Sequence, residues 1–248
     1  MLTVNNLNAV INKHTILKDI NLKIAPHALT AVIGKNGSGK STLVSCIKSM
    51  TDYTGSITFE NRDIRLMHPK EKAKLISVLP QHLPPVHITV RELAGMGRNP
   101  YLDFGKRFSE EDKKAVDSAL EKLDITYLAD KYTDKISGGE RQKAYLAMIL
   151  AQKTRLIVLD EPTAYMDILS EEKFKETLLS IKKDSHKTVT VVMHNLNAAV
   201  KFADRFILMD EGRVIFQGTK TQCLENKIIE NNFNLRRFDA EDRIFFAK

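Results

Sequence analysis

Between Gly34 and Ser41 the chain reads Gly-Lys-Asn-Gly-Ser-Gly-Lys-Ser, the spacing G-x-x-x-x-G-K-[ST] that suits a nucleotide polyphosphate. Glycines let successive backbone N–H groups turn toward phosphate oxygens, Lys40 brings a cation to the β- and γ-phosphates, and Ser41 offers its hydroxyl to Mg²⁺. The apolar run Leu29 to Ile33 lies just before this loop and a predicted helix, Lys40 to Lys48, follows it. The loop therefore falls where a strand hands over to the positive end of a helix. Asn36-Gly37-Ser38 also fits a glycosylation acceptor, which is a coincidence in a chain expected to stay in the cytoplasm.

A phosphate cradle serves GTPases, kinases and ATPases alike, so other residues must choose among them. The Asn-Lys-x-Asp that specifies guanine is missing, since Asn12-Lys13-His14-Thr15 and Asn226-Lys227-Ile228-Ile229 both lack the aspartate. Leu156 to Leu159 instead forms an apolar run that ends in Asp160-Glu161. Asp160 is placed to hold Mg²⁺ through water, and Glu161 to orient or deprotonate a water attacking the γ-phosphate. Ser137-Gly138-Gly139-Glu140-Arg141-Gln142 precedes the apolar stretch Ala144 to Leu150. Ser137 and Glu140 have capping-box spacing, and a helix start whose Ser137 hydroxyl and Gly139 amide face outward is also an anion site.

With that Ser-Gly-Gly signature shortly before an Asp-Glu strand, the chain resembles the ATP-binding-cassette family over nearly its whole length. The resemblance assigns the phosphate loop to Gly34, Lys35, Asn36, Gly37, Ser38, Gly39, Lys40, Ser41 and Thr42, and the Gln-loop to Gln81. It assigns the signature to Ser137, Gly138, Gly139 and Glu140 through Gln142, and Walker B to Leu156 through Asp160. It implies Glu161 as catalytic base, Asp167 as the D-loop aspartate and His194 as the switch histidine. ATP is then the nucleotide, with Mg²⁺ held by Ser41, Gln81 and Asp160. Two ATP molecules would be sandwiched in a homodimer, the signature of each subunit closing over the γ-phosphate bound by the other. The implied fold is an α/β P-loop NTPase, one domain over 1–248. It has a mixed-sheet core, an N-terminal antiparallel β subdomain, an inserted α-helical subdomain at about 82–156 and a C-terminal extension at about 219–248. Three positions depart from the family pattern. Glu140 replaces the commoner glutamine, Ala164-Tyr165-Met166-Asp167 differs from the usual small-residue D-loop, and Ile11 stands where an aromatic often stacks on adenine, with His14 nearby as another candidate.

Thr89-Val90, Gly97-Arg98-Asn99-Pro100-Tyr101, Ser109-Glu110-Glu111-Asp112 and the Glu140 signature look like ATPases of iron-chelate and siderophore importers. Vitamin B12 and haem importers are close relatives, and a soluble cassette ATPase of the iron-sulfur-assembly type is the competing class. A DNA-repair cassette would need a long coiled-coil insertion between Gln81 and Ser137, and the interval is too short for one. The importer reading implies a motor at the cytoplasmic face of the membrane, two transmembrane permease subunits, and an extracytoplasmic solute-binding protein acting through them.

The elements that must position these groups are legible in the periodicity. Leu2 to Leu7, Thr15 to Ile24, Leu29 to Ile33 and Gly55 to Glu60 read as strands, with a further one expected after Asn61-Arg62-Asp63. From Ser109, a predicted N-cap, Ala115, Val116, Ala119, Leu120 and Leu123 recur on one helical face. The continuous β-branched or aliphatic runs within 155–159 and 188–192 suit parallel strands covered on both faces, and Phe206 to Met209 with Val214 to Gln217 reads as a hairpin. Ligands of open α/β sheets bind outside the carboxyl ends of the strands, which would gather Gly34, Asp160-Glu161 and His194. Composition agrees with a globular chain: 248 residues, 43% hydrophobic and 28% charged, with a net charge of +7. The longest apolar run, Ala144 to Ala151, is far short of the roughly 20 residues a membrane span needs. Charges are dispersed, with neither an arginine-rich arm nor aromatic-basic interleaving, so no nucleic-acid partner is expected. The start lacks a signal-peptide pattern. Cys46 and Cys223 have no metal or redox spacing, and the histidines show no zinc spacing.

Overall fold

The computed structural model describes residues 1–102, 107–162, 168–182, 187–240 and 243–247. Strand β1 (Leu2–Ile11) turns through Asn12-Lys13, both at positive φ, into β2 (His14–Ile24), pairing Ile11 with His14. Such a left-handed two-residue turn matches the natural strand twist. The fully buried β3 (Leu29–Ile33) hands over through the glycine loop to α1 (Lys40–Lys48). β4 (Thr54–Phe59) then pairs with β1, and β5 (Arg62–Asp63) with β4.

Here the structure corrects an expectation. No strand begins directly after Asn61-Arg62-Asp63; Glu60 and Asn61, at φ 51° and 65°, are the turn, and Arg62 and Asp63 already pair with Phe59 and Thr58. The Arg65 side chain then bonds Asp63 and the Gly55 carbonyl, fastening the chain outside the ladder. His68 next caps α2 (Pro69–Leu75), whose first residue is a proline that cannot donate to a strand. There follow β6 (Ile76–Leu79), α3 (Val90–Met96), α4 (Glu110–Lys122), α5 (Gly138–Ala151), β7 (Leu156–Asp160) and α6 (Ile168–Lys182). The chain ends with β8 (Thr188–Val192), α7 (Leu196–Phe202), β9 (Arg205–Asp210), β10 (Arg213–Thr219), α8 (Lys220–Glu225), α9 (Ile228–Phe233), β11 (Arg236–Ala240) and β12 (Arg243–Ala247).

The chain divides into two compact units, Met1–Met67 with Thr188–Lys248, and His68–Lys187. In the first, β2-β1-β4-β5 form an antiparallel sheet, while β10-β9-β3-β8 form a mixed one in which β3 runs parallel to both neighbours and β10 antiparallel to β9. Val32 pairs with Val192, and the Met193 amide donates to the Val32 carbonyl at 3.1 Å. Gly34 and His194 therefore leave adjacent parallel strands at the same, carboxyl, edge. The β11–β12 hairpin is tied to α7 by Asn197, whose amide side chain bonds the Phe246 backbone at both N–H (2.7 Å) and C=O (3.3 Å).

In the second unit β6 and β7 run parallel, Leu79 opposite Leu159, so Gln81 and Glu161 likewise follow the carboxyl ends of neighbouring strands. The predicted apolar face of α4 is buried, and α3, α4 and α5 each start with a capping box. Two of the motifs that suggested an importer subfamily prove to interlock. Arg98 is 2% and Asp112 5% exposed; Nε of Arg98 bonds Asp112 Oδ1 at 2.8 Å, Nη1 bonds the Ala151 carbonyl at 2.9 Å, and the guanidinium lies 3.8 Å from the centre of the Tyr101 ring. The Ser109 hydroxyl and then Arg98 hold the Asp112 carboxyl down at about 2. Because this folded value lies below the ordinary one, the contribution to stability is complete above about pH 4 and is lost as pH falls toward 2. Breaking a buried pair by removing one partner costs about 3 kcal/mol, so Arg98→Met lowers Tm by roughly 10 °C in a chain of this size. Arg98→Lys recovers only part, since an ammonium cannot reproduce the fork and the stack; differential scanning calorimetry checks both.

Cys46 and Cys223 are buried free thiols, pushed up to about 11 and about 12 by burial, so neither is poised as a nucleophile. Among the described residues no helix is long and apolar enough to cross a membrane.

Candidate functional site

The phosphate loop is built by steric demand. Gly39 caps α1 at φ 97°, where a Cβ would lie 2.7 Å from Leu17 Cδ2, so only glycine takes that conformation in that space. Gly212, in the β9–β10 turn at φ 78°, donates its N–H to the Ser38 carbonyl at 3.2 Å and accepts from the Lys18 N–H at 2.8 Å. A Cβ at Gly212 would sit 2.1 Å from the Ile16 carbonyl. The loop is thus walled by β2 and by that turn, whereas its crest is open: a Cβ at Gly37 would meet nothing within 4 Å. The Lys40 ammonium is folded over the loop, bonding the carbonyls of Gly34 (2.9 Å) and Lys35 (3.0 Å) and lying 3.4 Å from Ser38 Oγ. Ser41 is exposed at the first turn of α1. No side chain caps that helix and no acidic residue lies in its first turn, so its N–H groups and partial positive charge suit an anion.

The strand-end acids lie in the second unit. Asp160, 7% exposed, closes β7, and Glu161 follows at φ 47°, a left-handed conformation that side chains adopt at a cost and that recurs at functional sites. Gln81 Nε2 donates to Glu161 Oε2 at 2.6 Å, across 80 residues of sequence. A cleft of ≈ 320 Å³ brings Gln81 and Glu161 together with Gly138, Arg141 and Gln142 at the start of α5. Ser41 in the first unit, and Asp160 and the Gln81 carboxamide in the second, are each hard oxygen donors of the kind Mg²⁺ takes, an ion that needs few protein ligands and keeps waters or phosphates.

At the signature the structure shows the capping box that the Ser137 and Glu140 spacing predicts. Ser137 Oγ donates to Glu140 Oε2 at 2.8 Å and accepts from the Glu140 N–H at 3.3 Å, while the Ser137 N–H donates to the same carboxylate at 2.9 Å. These bonds, the Ser137 N–H first, hold the Glu140 carboxyl below its usual range. Glu140 therefore secures the serine, and Ser137 and Gly138 remain exposed at the helix start.

His194 is exposed immediately before Asn195, which caps α7 by accepting from the Ala198 N–H at 3.0 Å. Ile11 and His14 face each other across the tip of the β1–β2 hairpin, both exposed and a few residues from the Leu17 that abuts Gly39. Asp167, with Ala164, Tyr165 and Met166, lies outside the described residues. Two hydroxyls near the cleft are not marked by any motif in the sequence: Thr133, and Tyr145 inside the apolar stretch Ala144 to Leu150. The only available signal was that a buried tyrosine hydroxyl or threonine seeks a partner.

The ABC transporter profile matches residues 17–164. The "Ferric enterobactin transport ATP-binding protein FepC" of Escherichia coli (strain K12) is 36% identical over 94% of this chain and 86% of its own length. The "Probable siderophore transport system ATP-binding protein YusV" of Bacillus subtilis (strain 168) is 35% identical over 93% of this chain and 84% of its own. Among solved structures, the ATP-binding cassette MJ0796 in a dimeric post-hydrolysis state bound to ADP and Pi superposes with a TM-score of 0.76 at 25% identity, covering 89% of this chain and 99% of that one. With its glycine loop, its strand-end acids and its α/β fold, the chain belongs to the ABC transporter family, as an ATP-hydrolysing nucleotide-binding subunit.

Proposed function

We propose that this chain drives import of an iron(III)-siderophore or related iron chelate, as a homodimer that binds two ATP at its interface and works on two permease subunits at the cytoplasmic face of the membrane. An extracytoplasmic solute-binding protein would deliver the chelate to those permeases. The observation that carries the reading is that relatives aligned over more than nine-tenths of the chain are iron-chelate transport ATPases.

In this reading Gly34 through Thr42 wrap the phosphates and Lys40 exchanges its loop carbonyls for phosphate oxygens. Mg²⁺, held by Ser41, Gln81 and Asp160, would neutralise phosphate charge. Glu161 takes a proton from the attacking water once Gln81 releases it, and His194 stabilises the γ-phosphate. Ser137, Gly138, Gly139 and Asp167 of the second copy complete the site, with Glu140 as the anchor of Ser137. The α-helical portion, about 82–156, carries the signature as a subdomain of a single domain, and about 219–248 forms a C-terminal extension.

The test is radio-iron uptake from a panel of siderophores in the native host with the gene deleted. Restoration of uptake of one chelate by the wild-type gene and not by Glu161→Gln is expected. Unchanged uptake of every chelate in the deletion strain would refute the iron assignment.

A further inference from the structure

The segment from Pro84 to Arg91, which follows Gln81, has a second set of attachments that the hydrolytic chemistry leaves unused. Its backbone runs against residues 129–133: the Val90 N–H donates to the Lys131 carbonyl, the Arg91 N–H to the Ala129 carbonyl and the Thr133 N–H to the Ile88 carbonyl, each at 2.9 Å. Thr133 is 0% exposed, and a buried hydroxyl is costly unless bonded. Its Oγ1 donates to the Val86 carbonyl and accepts from the Val86 N–H at 3.3 Å, so one side chain satisfies both backbone groups of one loop residue. Two residues earlier, Pro84 offers its carbonyl to the Tyr145 hydroxyl on α5 at 2.8 Å. The His87 ring stacks on Tyr132, centres 4.3 Å apart, and its Nδ1 lies 3.0 Å from Asp134 Oδ2. That pair is exposed, so it adds little.

Thr133 stands four residues before Ser137, and Tyr145 sits on the helix that Ser137 caps. On the other side Val86 is joined to Gln81 through Pro84-Pro85, whose fixed φ angles and restriction of the preceding residue make a stiff strut. Gln81 at the end of that strut holds Glu161. A displacement of the signature helix therefore pulls on the Gln81–Glu161 contact with only His82 and Leu83 as slack.

We propose that Thr133 and Tyr145 are positioning residues that couple the signature to the general base: docking of Ser137 on nucleotide moves residues 84–86 and so withdraws Gln81 from Glu161. This rests on the roles given above to Gln81, Glu161 and Ser137. Neither hydroxyl touches the reacting atoms, and each acts through the loop it holds.

The experiment compares Thr133→Val, Thr133→Ser and Tyr145→Phe in the full chain, measuring kcat and KM for ATP hydrolysis. Hydrogen exchange of residues 82–88 is followed in the same variants with and without ATP. Coupling residues of this kind shift energies enough to change a rate about tenfold. Thr133→Val and Tyr145→Phe should lose about that much kcat with KM within about twofold, while Thr133→Ser keeps the wild-type rate. On ATP addition residues 82–88 should stay protected in the wild type and exchange faster in Thr133→Val. Wild-type kcat in both Thr133→Val and Tyr145→Phe overturns the coupling, as does a Thr133→Ser as slow as Thr133→Val. Tyr145→Phe, which keeps the ring, decides the matter should Thr133→Val fold poorly. Glu161→Gln measured alongside separates the two readings, because lost turnover there with wild-type kcat in the coupling variants sinks the coupling alone.

Discussion

Replacing Glu161 with glutamine leaves ATP binding intact and lowers turnover by about 10² to 10⁴, the span expected when a general base is removed. The carboxamide keeps the shape of the side chain and can still meet Gln81, whose Nε2 bonds the carboxylate at 2.6 Å in the wild type, but it has no basic oxygen for the proton of the attacking water. Binding should survive because the proposed phosphate contacts lie elsewhere, on the loop that Lys40 closes over Gly34 and Lys35. A chain that binds but does not hydrolyse accumulates with ATP as a closed dimer, visible by size-exclusion chromatography at matched concentration. Near-wild-type turnover in Glu161→Gln would remove Glu161 from the mechanism.

The second large effect is at Ser137. Ser137→Arg lowers hydrolysis by about 10² or more, the scale set by misplacing groups around a reacting phosphate, while nucleotide binding to the separate chain is almost unchanged. Folding is affected less, since loss of an N-cap costs about 1 kcal/mol. The contrast between the two helix starts is the physical basis. α1 opens on Gly39 with neither a side-chain cap nor an acid, and is ready for phosphate from its own chain. α5 opens on a closed Ser137–Glu140 box, whose exposed serine and glycine suit approach by a nucleotide held on another copy.

Much of this was legible because the decisive signals are local. A glycine loop between an apolar run and a helix, an acid pair ending a strand, and S-x-x-E before an apolar helix each depend on neighbours within a few residues, and each stands where expected. What escaped depends on distance in sequence or on a choice between similar turns. Asn61-Arg62-Asp63 contains turn formers, yet Glu60-Asn61 takes the left-handed conformation, and this moved the strand two residues. At Ser137 the spacing allows both a capping box and an anion site; the structure shows the box, with the hydroxyl proton on Glu140, on a serine that stays exposed. Arg98 and Asp112 were read as family markers; that they neutralise each other inside the helical unit, and that Thr133 grips Val86, follows only from packing that no spacing encodes.

The composite site is tested most directly by mixing two inactive chains, Lys40→Ala and Ser137→Arg, and measuring single-turnover ATP hydrolysis. In the proposed dimer a mixed pair would set the intact phosphate loop of the Ser137→Arg chain against the intact Ser137 of the Lys40→Ala chain, so one complete site would form. Hydrolysis should reappear on mixing, saturating as mixed dimers come to dominate, although neither chain is active alone. If each chain completed its own site, every site in the mixture would still carry a defect, and no recovery at any ratio would contradict the sandwich of two copies.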